Sequence, residues 1–300
     1  MYEKSDPRAA LTASAARDMR TATGLIAEEQ QGHFYEAPPQ ISDAAGQTWM
    51  LRGHNFLTAV TEAAAGGVFA RQGQIDEYCV LLPEARARIT WRGETTEVPG
   101  FSIAFVPAGD STVEMPEGGQ LVRIFSTRSD DLARACANSD AYRRERAHIP
   151  EFQPWPDPVG GWKVRQYGLD VPPEAGRFGR IFRCTTLMVN VLDPYQGPRD
   201  TAKMSPHHHD DFEQGSLALR GEFTHFLRWN WTTDMADWRP DQAIEMKSPS
   251  ILVIPPPVIH TTRATGPGEN LLVDIFSPPR VDFSSQPGWV LNADDYPMPA

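Results

Sequence analysis

The sequence predicts an all-β protein made of two similar barrels or jelly rolls in tandem. Short β-branched and aromatic runs alternate with Gly/Pro turns, and many of the 27 prolines end such runs, as in PPP and SPP; this punctuation is typical of β-rich chains. Segments of the first half also recur in the second. SIAFVP (Ser102–Pro107) matches SILVIP (Ser250–Pro255), and LVRIFS (Leu121–Ser126) matches LVDIFS (Leu272–Ser277), at nearly the same spacing. An internal match of this kind indicates repeated structural units.

The chain divides into five predicted segments. A helix is expected to begin near Pro7 and to end before Gly32, because proline favours the first turn of a helix and glycine its end. The pattern of short β-branched and aromatic runs separated by turns continues through the second barrel to about Phe283. The segments, in order, are an N-terminal helical arm (1–45), a first barrel (46–128), a polar helical stretch with a Pro-rich linker (129–176), a second barrel (177–285) and a tail (286–300).

Composition narrows the class of function. The chain has 28 Lys+Arg against 39 Asp+Glu, a formal net charge of −11, which argues against binding to nucleic acid or to an anionic membrane surface. Three cysteines, Cys79, Cys136 and Cys184, lie far apart, so we expect buried thiols in a reducing compartment rather than disulfides. No window approaches the length of a transmembrane helix. These features predict a cytoplasmic protein that binds neither nucleic acid nor membrane.

Three consecutive histidines suggest a metal site. In a β-strand successive side chains point to opposite faces, so His207 and His209 would share one face and His208 would point the other way. Two imidazoles on one face can share a divalent ion. His208 is therefore expected to be solvated, while His207 and His209 are candidate ligands.

Further ligands must come from later in the chain. Glu213 or Gln214 stands at the head of an apolar run that ends at Gly221 and could supply the third. His260 directly follows the apolar strand 251–254 and could supply the fourth. The sequence therefore predicts one cation held by groups that are remote in the chain.

This order of residues resembles the motifs of the cupin superfamily. His207 to His209 supply its H-x-H, Gln214 takes the usual Glu position by spacing, and Gly221 closes the first motif. Pro255 to His260 supply the second, P-x-G-x-x-H, although Pro257 stands where the family has Gly. The resemblance covers about Gln47–Phe283 and implies a bicupin, two jelly-roll barrels with the metal in the second.

One departure affects the first motif, and others affect the first copy. Thr201 stands where the family has a Gly before the first His. In the first copy, Pro107 to Gly109 keep the P-x-G, but Thr112 stands in the place of the His. Aligning the strand that ends near Glu84 puts Ala70 and Gln72 at the H-x-H positions and Glu77 at the acid position. The first barrel is therefore predicted to bind no transition metal and to act as scaffold, dimer surface or lid.

The acid-position ligand stays open between two residues. Spacing favours Gln214, whereas charge favours Glu213, because Glu213 with two histidines would form the two-His-one-carboxylate set of non-haem iron. A Gln ligand would bind through its neutral carbonyl oxygen and leave the charge of the ion to be balanced by an anionic substrate. We expect Fe(II), with Mn, Ni or Zn as alternatives.

Candidate substrate contacts follow the first motif. Arginines can clamp a carboxylate through two hydrogen bonds, and a histidine can act as an acid, a base or a hydrogen-bond donor to a ligand. The expected substrate is a small organic acid with an aromatic or enolisable body. The candidate residues are His225, Arg220, Arg228 and Arg263, with Phe223, Phe226, Trp229 and Trp231 as pocket walls.

Three functions are compatible with these residues. The first is a metal-dependent bicupin dioxygenase, and the second a redox-neutral isomerase, decarboxylase or lyase of the same superfamily. The third is a non-catalytic ligand-binding or sensor protein. The resemblance to cupins also implies a homodimer.

Overall fold

The computed structural model describes residues 7–8, 26–143, 149–210 and 212–299. These residues fold almost entirely into short antiparallel strands arranged as two jelly-roll barrels, which confirms the predicted all-β class. The helix predicted for the N-terminal arm lies mostly outside the described residues. No helix among the residues described is long and apolar enough to cross a lipid bilayer.

The described residues of the first half of the chain form eleven strands and one short helix. The helix α1 is much shorter than the polar helical stretch predicted from residue 129 onward, because the side chain of Asn138 bonds the backbone N–H and C=O of Arg52 and turns the chain onto the first barrel. The elements are β1 (Gln30–Gly32), β2 (Ile41–Asp43), β3 (Gly46–Arg52), β4 (Phe56–Ala63), β5 (Gly67–Gln74), β6 (Tyr78–Leu82), β7 (Ala87–Trp91), β8 (Glu94–Val98), β9 (Ser102–Val106), β10 (Gly109–Met115), β11 (Gly119–Ser126) and α1 (Asp130–Ala135).

The second half repeats this arrangement, with ten strands among its described residues. A 3-10 turn, Met235–Asp237, lies between two of them. The elements are β12 (Arg165–Gly168), β13 (Arg180–Arg183), β14 (Met188–Val191), β15 (Tyr195–Gln196), β16 (Gln214–Arg220), β17 (Glu222–Arg228), β18 (Gln242–Lys247), β19 (Ser250–Ile254), β20 (Ile259–Ala264), β21 (Glu269–Phe276) and α2 (Val281–Ser284).

Each barrel has one large sheet and one small sheet. The first barrel has the strand orders β12-β9-β6-β11-β4-β3-β2 and β5-β10-β7-β8, and the second has β1-β19-β16-β21-β14-β13, with β15 beside β21, and β18-β17-β20. The matched sequence segments occupy matched places, β9 with β19 and β11 with β21. The repeat seen in the sequence is therefore a repeat of topology.

The two barrels exchange an edge strand. β1, which precedes the first barrel, pairs with β19 of the second, and β12, which precedes the second barrel, pairs with β9 of the first. The strand at the edge of each large sheet therefore comes from the segment that precedes the other barrel in the sequence. Pairing of this kind ties the halves together through backbone hydrogen bonds.

The main core lies between the barrels. Alternate residues of the two large sheets, such as Leu81 and Phe105 from one and Leu217 and Val253 from the other, pack face to face in a single buried apolar cluster. A second cluster fills the inside of the first barrel. The inside of the second barrel holds three smaller apolar clusters instead. Polar residues and a cavity separate those three clusters.

Candidate metal centre

Backbone hydrogen bonds place two of the predicted ligands side by side. The N–H of His207 donates to the carbonyl of His260 at 3.0 Å, and the N–H of His260 donates to the carbonyl of His207 at 2.7 Å. This isolated antiparallel bridge joins the histidine segment to the start of β20. Residues more than fifty positions apart in the chain therefore present their side chains from one point of the barrel wall.

The third histidine completes a cluster inside the second barrel. His207, His209 and His260 each offer a ring nitrogen, and these nitrogens lie within 4.8 Å of one another, close enough to share a single ion. The ring centroids are 4.4 to 5.2 Å apart. The ring of His209 packs against Phe212, with 4.4 Å between centroids.

The imidazoles of the cluster are neutral at neutral pH. Burial holds the pKa of His207 and of His209 well below the ordinary value. The repulsion that a protonated ring would meet from Arg280, and from the other histidines if they were protonated, acts in the same direction. Burial also lowers the pKa of His260, to about 4. Neutral imidazoles keep the lone pair that a metal ion requires.

Hydrogen bonds to the backbone orient two of the rings. Nδ1 of His207 lies 2.9 Å from the carbonyl of Ser205, and Nδ1 of His260 lies 2.9 Å from the carbonyl of Val258. Because a carbonyl only accepts, each Nδ1 must carry the proton, and each Nε2 keeps its lone pair. Such contacts fix the tautomer and the direction of metal-binding histidines in proteins generally.

Gln214 adds an oxygen to the three nitrogens. Its Oε1 lies 2.9 Å from Nε2 of His209 and 3.4 Å from Nε2 of His260. Its amide nitrogen donates to Ser216 and to Asp274, each at 3.1 Å, so the amide oxygen is held toward the histidines. The structure thus brings together the four groups His207, His209, Gln214 and His260.

Glu213 is not brought to this cluster, and the hypothesis that it is a ligand is corrected. Its side chain points out of the barrel, because it stands next to Gln214 in an extended segment and successive side chains alternate. Its carboxylate accepts hydrogen bonds from the N–H of His54 at 2.6 Å and from the hydroxyl of Tyr142 at 2.7 Å. Burial raises its pKa to about 7.

A carboxyl group lies behind the amide ligand. Asp274 on β21 is buried and accepts from Gln214 and from Ser216. Burial raises its pKa to about 6, against the effect of Arg8 and Arg280. The amide of Gln214 thus lies between the carboxyl group of Asp274 and the ring of His209.

A cavity of about 390 Å³ opens beside the cluster. One end is polar and includes His207, His260, Gln214 and Asp274. The rest of the lining includes an apolar wall and three arginines. The apolar wall is formed by Phe178, Leu192, Phe223, Ala264 and Leu272, and the arginines are Arg8, Arg177 and Arg199.

Arg8 is a site residue that the sequence reasoning missed. Its guanidinium stacks on the ring of Phe178, 4.0 Å from the centroid, and donates to the hydroxyl of Ser205 at 3.3 Å. Ser205 is also the residue whose carbonyl holds His207. Nothing in the sequence near Arg8 connects it with residues two hundred positions away, so no local pattern could have identified it.

The predicted arginine clamp is corrected. On β17 the inward side chains are Phe223, His225 and Leu227, so Arg228 points outward, where its side chain is 69% exposed and pairs with Asp241. On β20 the cavity is lined by His260, Thr262 and Ala264, and by the same alternation Arg263 points outward and donates to the carbonyl of Arg199.

Arg220 is likewise engaged elsewhere. Its guanidinium forms ion pairs with Glu84 and Glu269. The cationic groups at the cavity are therefore Arg8, Arg177 and Arg199, none of which was selected from the sequence.

His225 lies on the inner face of β17. Its Nδ1 is 2.9 Å from the hydroxyl of Thr262, a cavity residue, and its buried Nε2 has no hydrogen-bond partner in the described part of the chain. Burial lowers its pKa to about 3, so it is neutral. Of the predicted aromatic walls, Phe223 lines the cavity, whereas Phe226 and Trp231 are exposed.

The first barrel carries different residues at the matching places. The pairing of Leu81 with Ile103 in the first barrel matches the pairing of Leu217 with Ile251 in the second. In this register Tyr78 corresponds to Gln214, whereas the sequence predicted Glu77 for that position.

The hydroxyl of Tyr78 bonds Ser111 at 3.0 Å, much as Gln214 meets His260. The residue of the first barrel that corresponds to His260 is therefore Ser111 and not the predicted Thr112. The reason is that the turn after Pro107 is one residue shorter than the turn after Pro255.

Comparisons with known proteins support the fold. No protein-family model and no curated protein matches the chain. An oxalate decarboxylase from Lactobacillus farciminis, solved as a formate complex, matches with a TM-score of 0.56 at 12% identity over 88% of this chain and 88% of that one. A Bacillus subtilis oxalate decarboxylase, studied for its Mn(II) centres, gives 0.55 at 10% identity over 91% and 84%.

AerE from Microcystis aeruginosa gives a TM-score of 0.53 at 8% identity over 85% of this chain and 99% of that chain. Identities this low establish likeness of fold alone. The chain therefore has the two-barrel cupin fold, and its chemistry must be argued from its own residues.

Proposed function

We propose that this protein is a metal-dependent enzyme whose second barrel cleaves a carbon–carbon bond of a small organic acid without a net redox change, as a decarboxylase or related lyase does. One observation carries the proposal. Three neutral imidazoles and an amide oxygen converge on one point at the polar end of a cavity of about 390 Å³. A cavity of this volume is in the usual range for small-molecule sites, roughly 300 to 1,000 Å³.

The donor set fits a divalent first-row ion. His207, His209 and His260 would hold the ion through ring nitrogens and Gln214 through its amide oxygen, a combination that Mn(II), Fe(II), Ni(II) and Zn(II) all accept. We favour Mn(II), because the B. subtilis neighbour is described by its Mn(II) centres. When bound, such an ion acts as a Lewis acid toward a substrate oxygen.

The charges around the cavity support an anionic substrate. The four donors are neutral, and Arg8 and Arg280 lie close enough to influence the ionisation of Asp274 and of the histidines. A carboxylate at this end of the cavity would balance the positive charge, and Arg8 can receive it in a bidentate manner. The apolar wall around Phe178, Leu192 and Phe223 would hold the carbon body of the acid.

Loss of carbon dioxide leaves an electron pair on carbon that must take up a proton. Two buried groups on the inner face of the barrel can carry a proton, Asp274, which lines the cavity, and His225, which bonds the cavity residue Thr262. We assign Asp274 as the proton carrier nearest the metal ligands and His225 as the group that orients Thr262.

The dioxygenase hypothesis has less support from the geometry. Its two-His-one-carboxylate form needs Glu213 as a ligand, and that carboxylate bonds His54 and Tyr142 instead. Two of the three structural neighbours named above are oxalate decarboxylases by title. A redox-neutral reaction is therefore the function that the site supports best.

Anaerobic turnover tests this proposal. The full chain, loaded with Mn(II), is incubated without oxygen with a panel of carboxylic acids that includes oxalate and aromatic 2-oxo acids, and carbon dioxide release is measured. We expect release without oxygen and its loss after chelation or in His260→Ala. Strict dependence on oxygen would instead support the dioxygenase, and a protein that binds no stoichiometric metal would support a ligand-binding role.

A further inference from the structure

Two buried glutamates occupy the same place in the two barrels. Glu77 directly precedes β6 and Glu213 directly precedes β16, and both side chains are almost fully buried. Neither carboxylate faces the inside of its own barrel. Each reaches across to the other barrel and is bonded there.

The contacts of the two carboxylates match. Glu213, in the second barrel, accepts from the N–H of His54, in the turn between β3 and β4, and from the hydroxyl of Tyr142, which follows the first barrel. Glu77, in the first barrel, accepts from the N–H and hydroxyl of Thr185, in the turn between β13 and β14, and from the hydroxyl of Tyr296, which follows the second barrel.

We call these two sets the first bridge (Glu77, Thr185, Tyr296) and the second bridge (Glu213, His54, Tyr142). Both tyrosine hydroxyls lie 2.7 Å from their carboxylate. Hydrogen bonds to an ionised carboxylate are stronger than bonds between neutral groups, and each of these carboxyl groups accepts from two residues of the other half of the chain. The first bridge therefore anchors the start of β6 to the second barrel, and the second bridge anchors the start of β16 to the first barrel.

The bridges differ in what comes next in the chain. The first bridge precedes Tyr78, which bonds Ser111. The second precedes Gln214, whose oxygen meets His209 and His260. Because neighbouring side chains on an extended segment point in opposite directions, anchoring Glu213 outward directs Gln214 inward.

Packing reinforces the second bridge. A Cβ placed on Gly53 would lie 2.9 Å from the Glu213 carboxylate, and one on Gly215 would lie 2.8 Å from the ring of Phe56. The turn between β3 and β4 is thus pressed against both residues that flank Gln214. The close fit leaves Gln214 little freedom to change direction.

We propose that Glu213 is a positioning residue, through which the first barrel sets the direction of Gln214 and so the affinity of the second barrel for its metal ion. This inference rests on the proposed metal site. In this proposal the function of the first barrel is to hold a ligand of the second barrel's metal site in place.

The pair Tyr142→Phe and Tyr296→Phe tests the inference in the full chain. Each variant removes one hydroxyl from one bridge, and Tyr296→Phe is the matched control because no metal ligand follows Glu77. Mn(II) affinity is measured by titration with detection of free Mn(II) by electron paramagnetic resonance, and the melting temperature is measured without metal.

We expect both variants to melt at lower temperature and only Tyr142→Phe to bind Mn(II) more weakly, by about tenfold, the lower end of the loss seen when an outer contact of a metal site is removed. The spectrum of bound Mn(II) should also change in Tyr142→Phe alone. Glu213→Gln, which keeps one acceptor, should lose less affinity than Glu213→Ala.

Equal Mn(II) affinity in the wild type and Tyr142→Phe, or an equal loss in both tyrosine variants, would overturn the positioning role and leave the metal site intact. If Tyr142→Phe fails to fold, Glu213→Gln decides the question by the same measurements. A wild-type protein that binds no Mn(II), Fe(II) or Zn(II) would overturn the proposed function and this inference together.

Discussion

The two barrels share a topology and differ in what fills them. In the second barrel, His207, Gln214, His260 and Asp274 face a cavity. In the first barrel the matching places are taken by Arg71, Tyr78, Ser111 and Arg123. The Tyr78 ring stacks on Phe125 at 4.7 Å, and the surrounding residues form one continuous apolar cluster.

The difference is one of charge as well as space. Asp274 of β21 is matched by Arg123 of β11, a buried guanidinium whose pKa burial lowers to about 10 and which stacks on Phe69 at 4.7 Å. Arg71 stands where His207 stands in the second barrel. The buried positive charge of Arg123 repels a divalent cation, whereas Arg71 is paired with Asp131. We therefore expect the same strand framework to bind a metal ion in the second barrel and not in the first, according to four inward positions.

His260→Ala should produce the largest difference between the barrels. A direct ligand is lost, so metal affinity should fall by more than the roughly 100-fold that loss of an outer contact can cause. Ser111→Ala, at the matching place in the first barrel, should leave metal content unchanged. Metal analysis of both purified variants checks this, and retained stoichiometric metal in His260→Ala would contradict the site.

Metal removal should have the next largest effect. A ligand present at about 100 times its dissociation constant stabilises the folded state by about 2.7 kcal/mol, which corresponds to a shift in melting temperature of roughly 4 °C for a chain of this size. Because the main core is shared by both large sheets, we expect a single unfolding transition that moves as a whole. Calorimetry with and without a chelator measures the shift of this transition. If two transitions are seen and metal changes the temperature of only one, the barrels unfold separately.

Arg8→Ala should weaken binding of a carboxylate to the metal-loaded protein. Hydrogen bonds to charged groups contribute about 1.5–3 kcal/mol, or roughly 10- to 100-fold in affinity. Arg228→Ala is the control, since that side chain is exposed on the outer face and its loss should change affinity less than twofold. Calorimetric titration with oxalate and with an aromatic 2-oxo acid makes the comparison, and equal affinities in both variants would remove Arg8 from the site.

Much of the fold could be predicted from the sequence because the signals were local or repeated. The duplicated segments of β9, β11, β19 and β21 gave the tandem barrels, and strand alternation together with the cupin motifs gave the grouping of His207, His209 and His260. Strand alternation also shows that only one of Gln214 and Glu213 can point into the barrel. Which of the two does so is clear only when the start of β16 is known.

Other features depend on contacts that no local pattern records. Arg8 and the exchanged strands β1 and β12 reach the opposite barrel across long stretches of chain. The shorter turn after Pro107 shifts β10 by one residue, so counting positions selected Thr112 where the structure has Ser111. Arg228 of β17 and Arg263 of β20 have the side chains that bind carboxylates, but their places in the strand alternation direct them away from the cavity.

Tyr78→Phe should have the smallest effect and tests whether the inside of the first barrel matters to the second. The variant removes the hydroxyl that bonds Ser111 but keeps the ring stacked on Phe125, so unfolding free energy should fall by about 1 kcal/mol. Mn(II) affinity should not change, because Tyr78 points inward while coupling between the barrels runs through the outward glutamates. Urea unfolding and Mn(II) titration give the two values. A loss of Mn(II) affinity as large as that expected for Tyr142→Phe would mean that the metal site senses the whole of the first barrel, and the distinction between its inner and outer faces would then be wrong.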